Sequence, residues 1–427
     1  MRGYFNMKTF NHRFSCFLLG NLIAFSLIGQ MGRMPVFAEE TEFETEAAVQ
    51  TEEPAPTPDP HRSTYYDEPQ SNSYTDWPAG PLIESEAAIV MDLDTDAVLY
   101  AKNINQKCYP ASITKLMTGL LACENLDLSG NFEMSESAAY GIEPGSSSIY
   151  ADTGEKFTME QGLMALMLES ANEMALRFGE LVSGSEKKFV ELMNQRARQL
   201  TCTRTHFNNP HGLPDDNHYT TARDMAKIAQ AAWQNQSFRF FFTTDYYEIP
   251  PTNVMKETRY MLNNHHMMAG QTYAYDGVLG GKTGYTDVAG HTLVTFARKN
   301  RMNLVVVVLS SVNGGFPDTA ALLDYAFDHF EHLNMHVDLN PVPELLPAQK
   351  ELVKTGPEGC IFPYRKSVTV TVPTGTNRED ITREASLLEN TAGPYRIKSK
   401  YYFHDHQVGF GMQYETQVFR NIIAADQ

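Results

Sequence analysis

Between Glu39 and about Gly80 the chain has a composition that cannot build a core, and this bounds where folding can begin. Glu39, Glu40, Glu42, Glu44, Glu46, Glu52, Glu53 and Asp59 arrive before any basic residue, interleaved with Thr, Ala and Pro. Such a stretch has too little apolar surface to offset the entropy lost on ordering. Residues 39–80 are therefore expected to be an extended, self-repelling spacer with no fold of their own.

Upstream, residues 1–38 read as a secretory signal. Arg2, Lys8, His12 and Arg13 precede an apolar run from Cys16 to Ile28, and Val36-Phe37-Ala38 offers small residues at both positions a signal peptidase reads. The run is short for a bilayer span, although an uncleaved anchor is the alternative. Either way the bulk of the chain is expected outside the cytoplasm. A net charge of −18 argues against a nucleic-acid partner, which would need clustered Lys and Arg. Without the signal, Cys108, Cys123, Cys202 and Cys360 remain, with no C-x-x-C pair and too few for a disulfide scaffold. Cys108 lies near Ser112, but no His stands beside it in a thiol-protease context, so burial is its expected role.

From about Leu82 the pattern becomes globular. Ala87 to Met91 and Ala97 to Tyr100, split by Asp92-Leu93-Asp94-Thr95-Asp96, suggest a strand pair around an acidic turn. Ile113, Leu116, Met117, Leu120 and Leu121 share one face at the 3.6-residue period, so a helix is expected to start beside Ser112. Helical blocks are expected over 159–181, 186–200 and 221–233, and again over 320–330. Strands are expected at Val278-Leu279, His291 to Phe296 and Leu304 to Leu309. Strands, then helices, then strands and a closing helix suit an α+β fold, an antiparallel sheet with helices packed on it. This catalytic domain is assigned residues 81–334. Alternation at Val368 to Val372 and short apolar segments at 401–403 and 408–412 mark residues 335–427 as a small β-rich C-terminal domain.

Three short motifs carry the chemistry. Ser112-Ile113-Thr114-Lys115 is an S-x-x-K tetrad, in which one helical turn brings an amine to a hydroxyl. A serine is a weak nucleophile until a base takes its proton, and a lysine can be that base only when its pKa is lowered. Ser170-Ala171-Asn172 is an S-x-N triplet whose hydroxyl can relay a proton and whose amide can hold the lysine and the substrate. Lys282-Thr283-Gly284, flanked by glycines and followed by Tyr285 and Thr286, belongs on a strand edge facing a cleft. There Lys282 supplies charge and Thr283 can hydrogen-bond a carboxylate.

Each motif has a decoy. Ser185 to Lys188 repeats the tetrad in a highly charged helix start. Ser129-Gly130-Asn131 and Ser311-Val312-Asn313 repeat the triplet, and Lys354-Thr355-Gly356 runs into a proline. Only the first set stands in the order S-x-x-K, S-x-N, K-T-G on suitable elements.

In that order the region from Ile83 to Phe330 resembles the low-molecular-mass penicillin-binding proteins, the D-alanyl-D-alanine carboxypeptidases of peptidase family S11. Phe207-Asn208-Asn209-Pro210-His211-Gly212-Leu213 and His218 to Ala226 strengthen the resemblance. It implies a β-lactamase/transpeptidase-like catalytic domain and a peptidoglycan stem peptide ending in D-Ala-D-Ala as substrate. It also implies acylation of Ser112 with Lys115 as base, Ser170 passing a proton to the leaving D-alanine, and backbone N–H groups of Ser112 and Tyr285 as oxyanion hole. β-Lactams would be covalent inhibitors, and no metal or organic cofactor is needed. His211 is then a loop residue, not a triad base.

Departures from the family are also visible. Tyr285 stands where some relatives carry His, and the loop Ser311 to Phe316 has no basic residue where many place an Arg. Thr416 to Gln427 shows no strong apolar face, so no clear C-terminal membrane anchor is expected. Alternatives are a class A β-lactamase, disfavoured because no Glu-x-x-Leu-Asn lies between Ser170 and Lys282, an inert penicillin-sensing scaffold, and a D,D-endopeptidase using the same residues. A zinc peptidase on His329, His332 and His336, read as one helical face, or on His404-Asp405-His406, lacks H-E-x-x-H. His265-His266 reads as loop.

Overall fold

The computed structural model describes residues 67–336, 367–388 and 396–414. In chain order β1 (Ala87–Asp92) and β2 (Val98–Lys102) precede α1 (Lys115–Asn125), β3 (Asn131–Glu133), α2 (Glu136–Tyr140) and β4 (Lys156–Thr158). A helical stretch follows, α3 (Met159–Leu168), α4 (Asn172–Ser183), α5 (Glu186–Gln199), α6 (Ala222–Gln234) and α7 (Gln236–Phe242). The ribbon β5 (Tyr246–Ile249) and β6 (Arg259–Leu262) leads to β7 (Val278–Thr286), β8 (Gly290–Lys299), β9 (Met302–Ser311) and α8 (Phe316–His329). Five strands close the described chain: β10 (Phe330–His336), β11 (Ser367–Pro373), β12 (Ile381–Leu388), β13 (Arg396–Phe403) and β14 (His406–Tyr414).

The central sheet runs β2-β1-β9-β8-β7, antiparallel throughout. Because side chains alternate along a strand, its two faces feed two cores. Ile89, Val294, Phe296, Val305 and Val307 pack with α1, α3, α4 and α6, whereas Val90, Leu293, Leu304, Val306 and Val308 pack with α8. Leu304 to Leu309 is wholly buried because both faces are covered. The second core continues into Val368, Val370, Val372, Tyr401 and Phe403, so the C-terminal strands share it.

The structure departs from the sequence-based expectation in four places. Order begins before residue 81: Gln70–Ser73 forms a 3-10 turn, and Trp77 is buried against Phe330 and Phe403 while donating to Leu99 O at 2.9 Å. One tryptophan supplies the apolar area that the acidic tract before it lacks. The helix expected over 159–181 is two helices, broken at Glu169–Ala171 where Ser170 takes φ +59°. The β-rich unit starts at Phe330 rather than 335, since β10 pairs along its length with β11. His332 therefore lies on a strand, not a helix, and its Nε2 meets Asp92 Oδ2 at 2.8 Å. Burial disfavours the charged imidazole, but Asp92 and Asp94 outweigh it and raise the pKa. The signal, the Lys354 decoy, Cys360 and Thr416 to Gln427 lie outside the described residues.

Phe296 ties the helices to the sheet: its ring stacks between Trp233 (5.5 Å) and Phe242 (4.5 Å). Phe296→Ala should lower unfolding free energy by about 3–5 kcal/mol, read as a drop in denaturant midpoint; an unchanged midpoint would remove Phe296 from the core account.

Candidate active site

Ser112 and Lys115 meet through a tight turn. Ala111–Thr114 is a 3-10 segment running directly into α1, and in that geometry residues three apart eclipse one another. Lys115 Nζ lies 3.1 Å from Ser112 Oγ. The turn is held from several sides. Thr292 on β8 donates to Pro110 O at 2.8 Å, Thr118 donates to Pro210 O at 2.6 Å, and Thr114 Oγ1 meets His218 Nε2 at 2.9 Å. Two glycines let neighbouring backbone approach. A Cβ on Gly212 (φ +96°) would sit 1.9 Å from Ala111 O, and one on Gly284 would sit 2.8 Å from Ser112 N. Strand β7 thus runs hard against the nucleophile's own amide.

Lys115 is fully buried and surrounded by acceptors. Besides Ser112, its Nζ donates to Asn172 Oδ1 at 2.6 Å and His211 O at 2.8 Å. A neutral amine has two N–H groups and one lone pair. Two carbonyl oxygens take the N–H groups and leave the lone pair facing the Ser112 hydroxyl. Burial, and then the positive charge of Lys282, hold the amine well below the usual lysine range, with Glu173 opposing. Glu173 Oε1 accepts from Ser148 Oγ at 2.7 Å and Ile149 N at 2.8 Å, while its Oε2 is buried with no hydrogen-bond partner among the described residues.

Lys282 is also buried, and its Nζ donates to Thr283 O at 2.8 Å. Burial lowers its pKa to about 7, with the Glu169 carboxylate opposing. Each amine thus has one opposing carboxylate, Glu173 for Lys115 and Glu169 for Lys282, and Lys115 is in addition depressed by the charge of Lys282.

The left-handed break at Ser170 starts α4 at Asn172 and leaves the Ser170 Oγ buried without a hydrogen-bond partner among the described residues. That hydroxyl lines the same cleft of about 430 Å³ as Ser112, Thr283, Gly284 and Tyr285. Lys115, Asn172 and Lys282 are buried and are not among its lining residues. Thr286 stands apart from the cleft wall: its hydroxyl accepts from Ala289 N at 3.2 Å and closes the β7–β8 turn.

The remaining candidates fall into place. His211 Nδ1 accepts from Leu213 N at 3.2 Å, and burial lowers its pKa to about 3, so it serves the site through its carbonyl. Burial pushes the Cys108 thiol up to about 12, which suits packing rather than nucleophilic attack, and Cys108, Cys123 and Cys202 are unpaired thiols. Ser185 caps α5 by accepting from Lys188 N, so the second tetrad is a helix start. Asn264, His266, His291 and Phe316 also line the cleft and were missed by motif reading. His291 could have been found by counting the hairpin register back from Tyr285, its cross-strand partner; His266 gave no comparable signal.

Removing Lys282 deletes a positive charge beside Lys115 and so raises the Lys115 pKa. In Lys282→Ala the pH below which Ser112 acylation is lost should move upward, with about tenfold slower acylation near neutrality. An acid limb that stays in place would show that Lys282 exerts no field on Lys115.

A family model described as D-alanyl-D-alanine carboxypeptidase matches residues 75–313. The chain is 31% identical over 317 residues to D-alanyl-D-alanine carboxypeptidase DacF of Bacillus subtilis, covering 73% of this chain and 78% of that protein. It is 28% identical over 271 residues to DacA of Escherichia coli, covering 60% of this chain and 64% of DacA, less than two thirds of that protein. Among solved structures, penicillin binding protein 5 of Haemophilus influenzae has a TM-score of 0.61 at 24% identity, covering 79% of this chain and 98% of that one, a likeness of fold. A D-alanyl-D-alanine carboxypeptidase of Mycobacterium tuberculosis has a TM-score of 0.53 at 28% identity, covering 61% and 96%. With its nucleophile turn, split helix and glycine-lined strand, this chain belongs to the D-alanyl-D-alanine carboxypeptidase family, peptidase family S11.

Proposed function

We propose that the chain is a serine-type carboxypeptidase that removes the terminal D-alanine from peptidoglycan stem peptides, and that Ser112 carries the acyl group. The observation that carries this reading is the 3.1 Å contact between the Ser112 hydroxyl and a buried amine whose other two neighbours are carbonyl oxygens.

Ser112 Oγ attacks the carbonyl between the two D-alanines as its proton passes to Lys115 Nζ. Negative charge builds on the carbonyl oxygen, which the backbone N–H groups of Ser112 and Tyr285 receive; the close packing of β7 on the nucleophile turn supports that pairing. The C–N bond then breaks, and a proton travels from Lys115 through Ser170 to the departing amine. The unpartnered Ser170 hydroxyl suits a relay that must both give and accept. Water repeats the sequence against the ester, losing its proton to Lys115, and frees Ser112. Asn172 holds the lysine and the substrate amide. Lys282 keeps positive charge near the reacting carbonyl, Thr283 and Gly284 form the strand edge against which the substrate lies, and Thr286 fixes the turn behind Tyr285.

A β-lactam acylates Ser112 in the same way. Residues 1–38 direct export, the acidic stretch that begins at Glu39 tethers the enzyme, and the working unit faces the cell wall. No described helix is long and apolar enough to cross a membrane.

Purified protein should release D-alanine from a peptide ending in D-Ala-D-Ala and take a covalent fluorescent penicillin label. Ser112→Ala should abolish both, a loss of several orders of magnitude. Label that persists in the variant, or maps to Ser185, would overturn the assignment.

A further inference from the structure

The substrate of such a carboxypeptidase carries a free carboxylate on the residue that leaves, and a cleft that accepts it must meet that charge. The two buried lysines are poorly placed to do so. Lys115 has its donors committed to Asn172 and His211, and Lys282 turns its amine to the Thr283 carbonyl. Among the described residues lining the cleft there is no Lys, Arg, Asp or Glu. Two imidazoles, His266 and His291, are the lining side chains able to become cations.

They come from separate elements. His291 opens β8 opposite Tyr285, with ring centroids 4.6 Å apart. Since alternate residues of a strand share a face, Thr283, Tyr285 and His291 lie on one side of the β7–β8 hairpin, with Thr283 diagonal to His291. His266 follows the β6 ribbon and presents its ring edge-on to Phe316 at 5.6 Å, which fixes the imidazole against the start of α8. A hydroxyl and two imidazoles thus line the same cleft as Ser112.

We infer that the carboxylate of the departing D-alanine is received by His291 and His266 together with the Thr283 hydroxyl, with an imidazolium as its counter-charge. This rests on the carboxypeptidase reading above and adds the specificity device to it.

A consequence follows for pH. Half-burial lowers the His291 pKa, so in the free enzyme that ring is neutral at pH 7 and takes up a proton as the carboxylate arrives. Binding is then favoured at low pH and lost as pH rises through the imidazole pKa of the complex. The other charged or titratable groups nearby are Tyr285 and the Asp287 that accepts its hydroxyl at 3.1 Å, Tyr273 stacked on Phe316, and the buried Lys282 with Glu169 as counter-charge. His265 is buried and neutral, its pKa lowered to about 3, and Glu84 beyond β9 is engaged by Asn313. No carboxylate in this set lines the cleft to neutralise the imidazoles.

The test compares kcat and KM for a peptide ending in D-Ala-D-Ala with the same peptide as its C-terminal amide, between about pH 5.5 and 8.5. Wild type should show KM for the acid rising with pH and a flatter KM for the amide. In the double variant His266→Gln with His291→Gln, the acid-to-amide ratio of kcat/KM should fall about tenfold. His291→Arg combined with His266→Gln, which leaves a permanent cation and no imidazole in the cleft lining, should keep KM for the acid low and remove its pH dependence. An unchanged ratio in the double His→Gln variant, or a pH-dependent KM surviving in the Arg–Gln variant, overturns this inference alone. A wild type that hydrolyses neither peptide overturns the carboxypeptidase reading and this inference with it.

Discussion

One buried amine organises this molecule. Lys115 begins a helix that is buried from its first residue to Ala122, and the surroundings that would be costly for an ammonium suit it to the base role proposed for it. Every feature of the site can be read as support for that condition. Asn172 and the His211 carbonyl consume its two N–H groups, Lys282 opposes its protonation, and the 3-10 turn places the Ser112 hydroxyl at the lone pair. An exposed lysine at the same spacing, Lys188 after Ser185, has none of this, and there the serine caps a helix by accepting from the Lys188 backbone N–H.

Holding the turn in place requires the whole catalytic unit. The central sheet reaches the nucleophile through β7 and β8: Gly284 allows contact with the Ser112 amide, and Thr292 holds the Pro110 carbonyl. The loop 208–213 closes the other side, with Asn209 Oδ1 accepting from Gly212 N at 2.7 Å and Gly212 pressed on the Ala111 carbonyl. Two non-glycine residues, Ala111 and Ser170, hold left-handed backbone beside the reacting hydroxyls, each at a cost on the order of 1–3 kcal/mol. Strain of that size persists only where surrounding contacts over-determine the conformation, as the packed helices and sheet do here.

How much of this was legible in the sequence depends on the range of the interaction. Periodicity revealed α1 and the strands because local pattern and burial agree there, and from the three motifs chosen by order Ser112, Ser170, Thr283 and Gly284 line one cleft. What local pattern could not show was where long-range contact overrides it. Apolar spacing runs straight through Glu169–Ala171, so the break that aims Ser170 was hidden. His332 follows a helix in sequence but is claimed by cross-strand pairing with Thr371 and by Asp92. Trp77, alone after an acidic tract, gains its partners from Phe330 and Phe403 hundreds of residues later. His266 reaches the cleft only through tertiary packing and nothing in its neighbours marks it, whereas His291 follows from the hairpin register opposite Tyr285.

The most direct measurement is the titration of Lys115 itself, by NMR of lysine labelled at Cε, with the resonance identified by its absence in Lys115→Arg. The account predicts a midpoint well below the ordinary lysine value of about 10.4. A Lys115 resonance that titrates near that ordinary value would contradict it, because a permanently charged amine cannot accept the Ser112 proton.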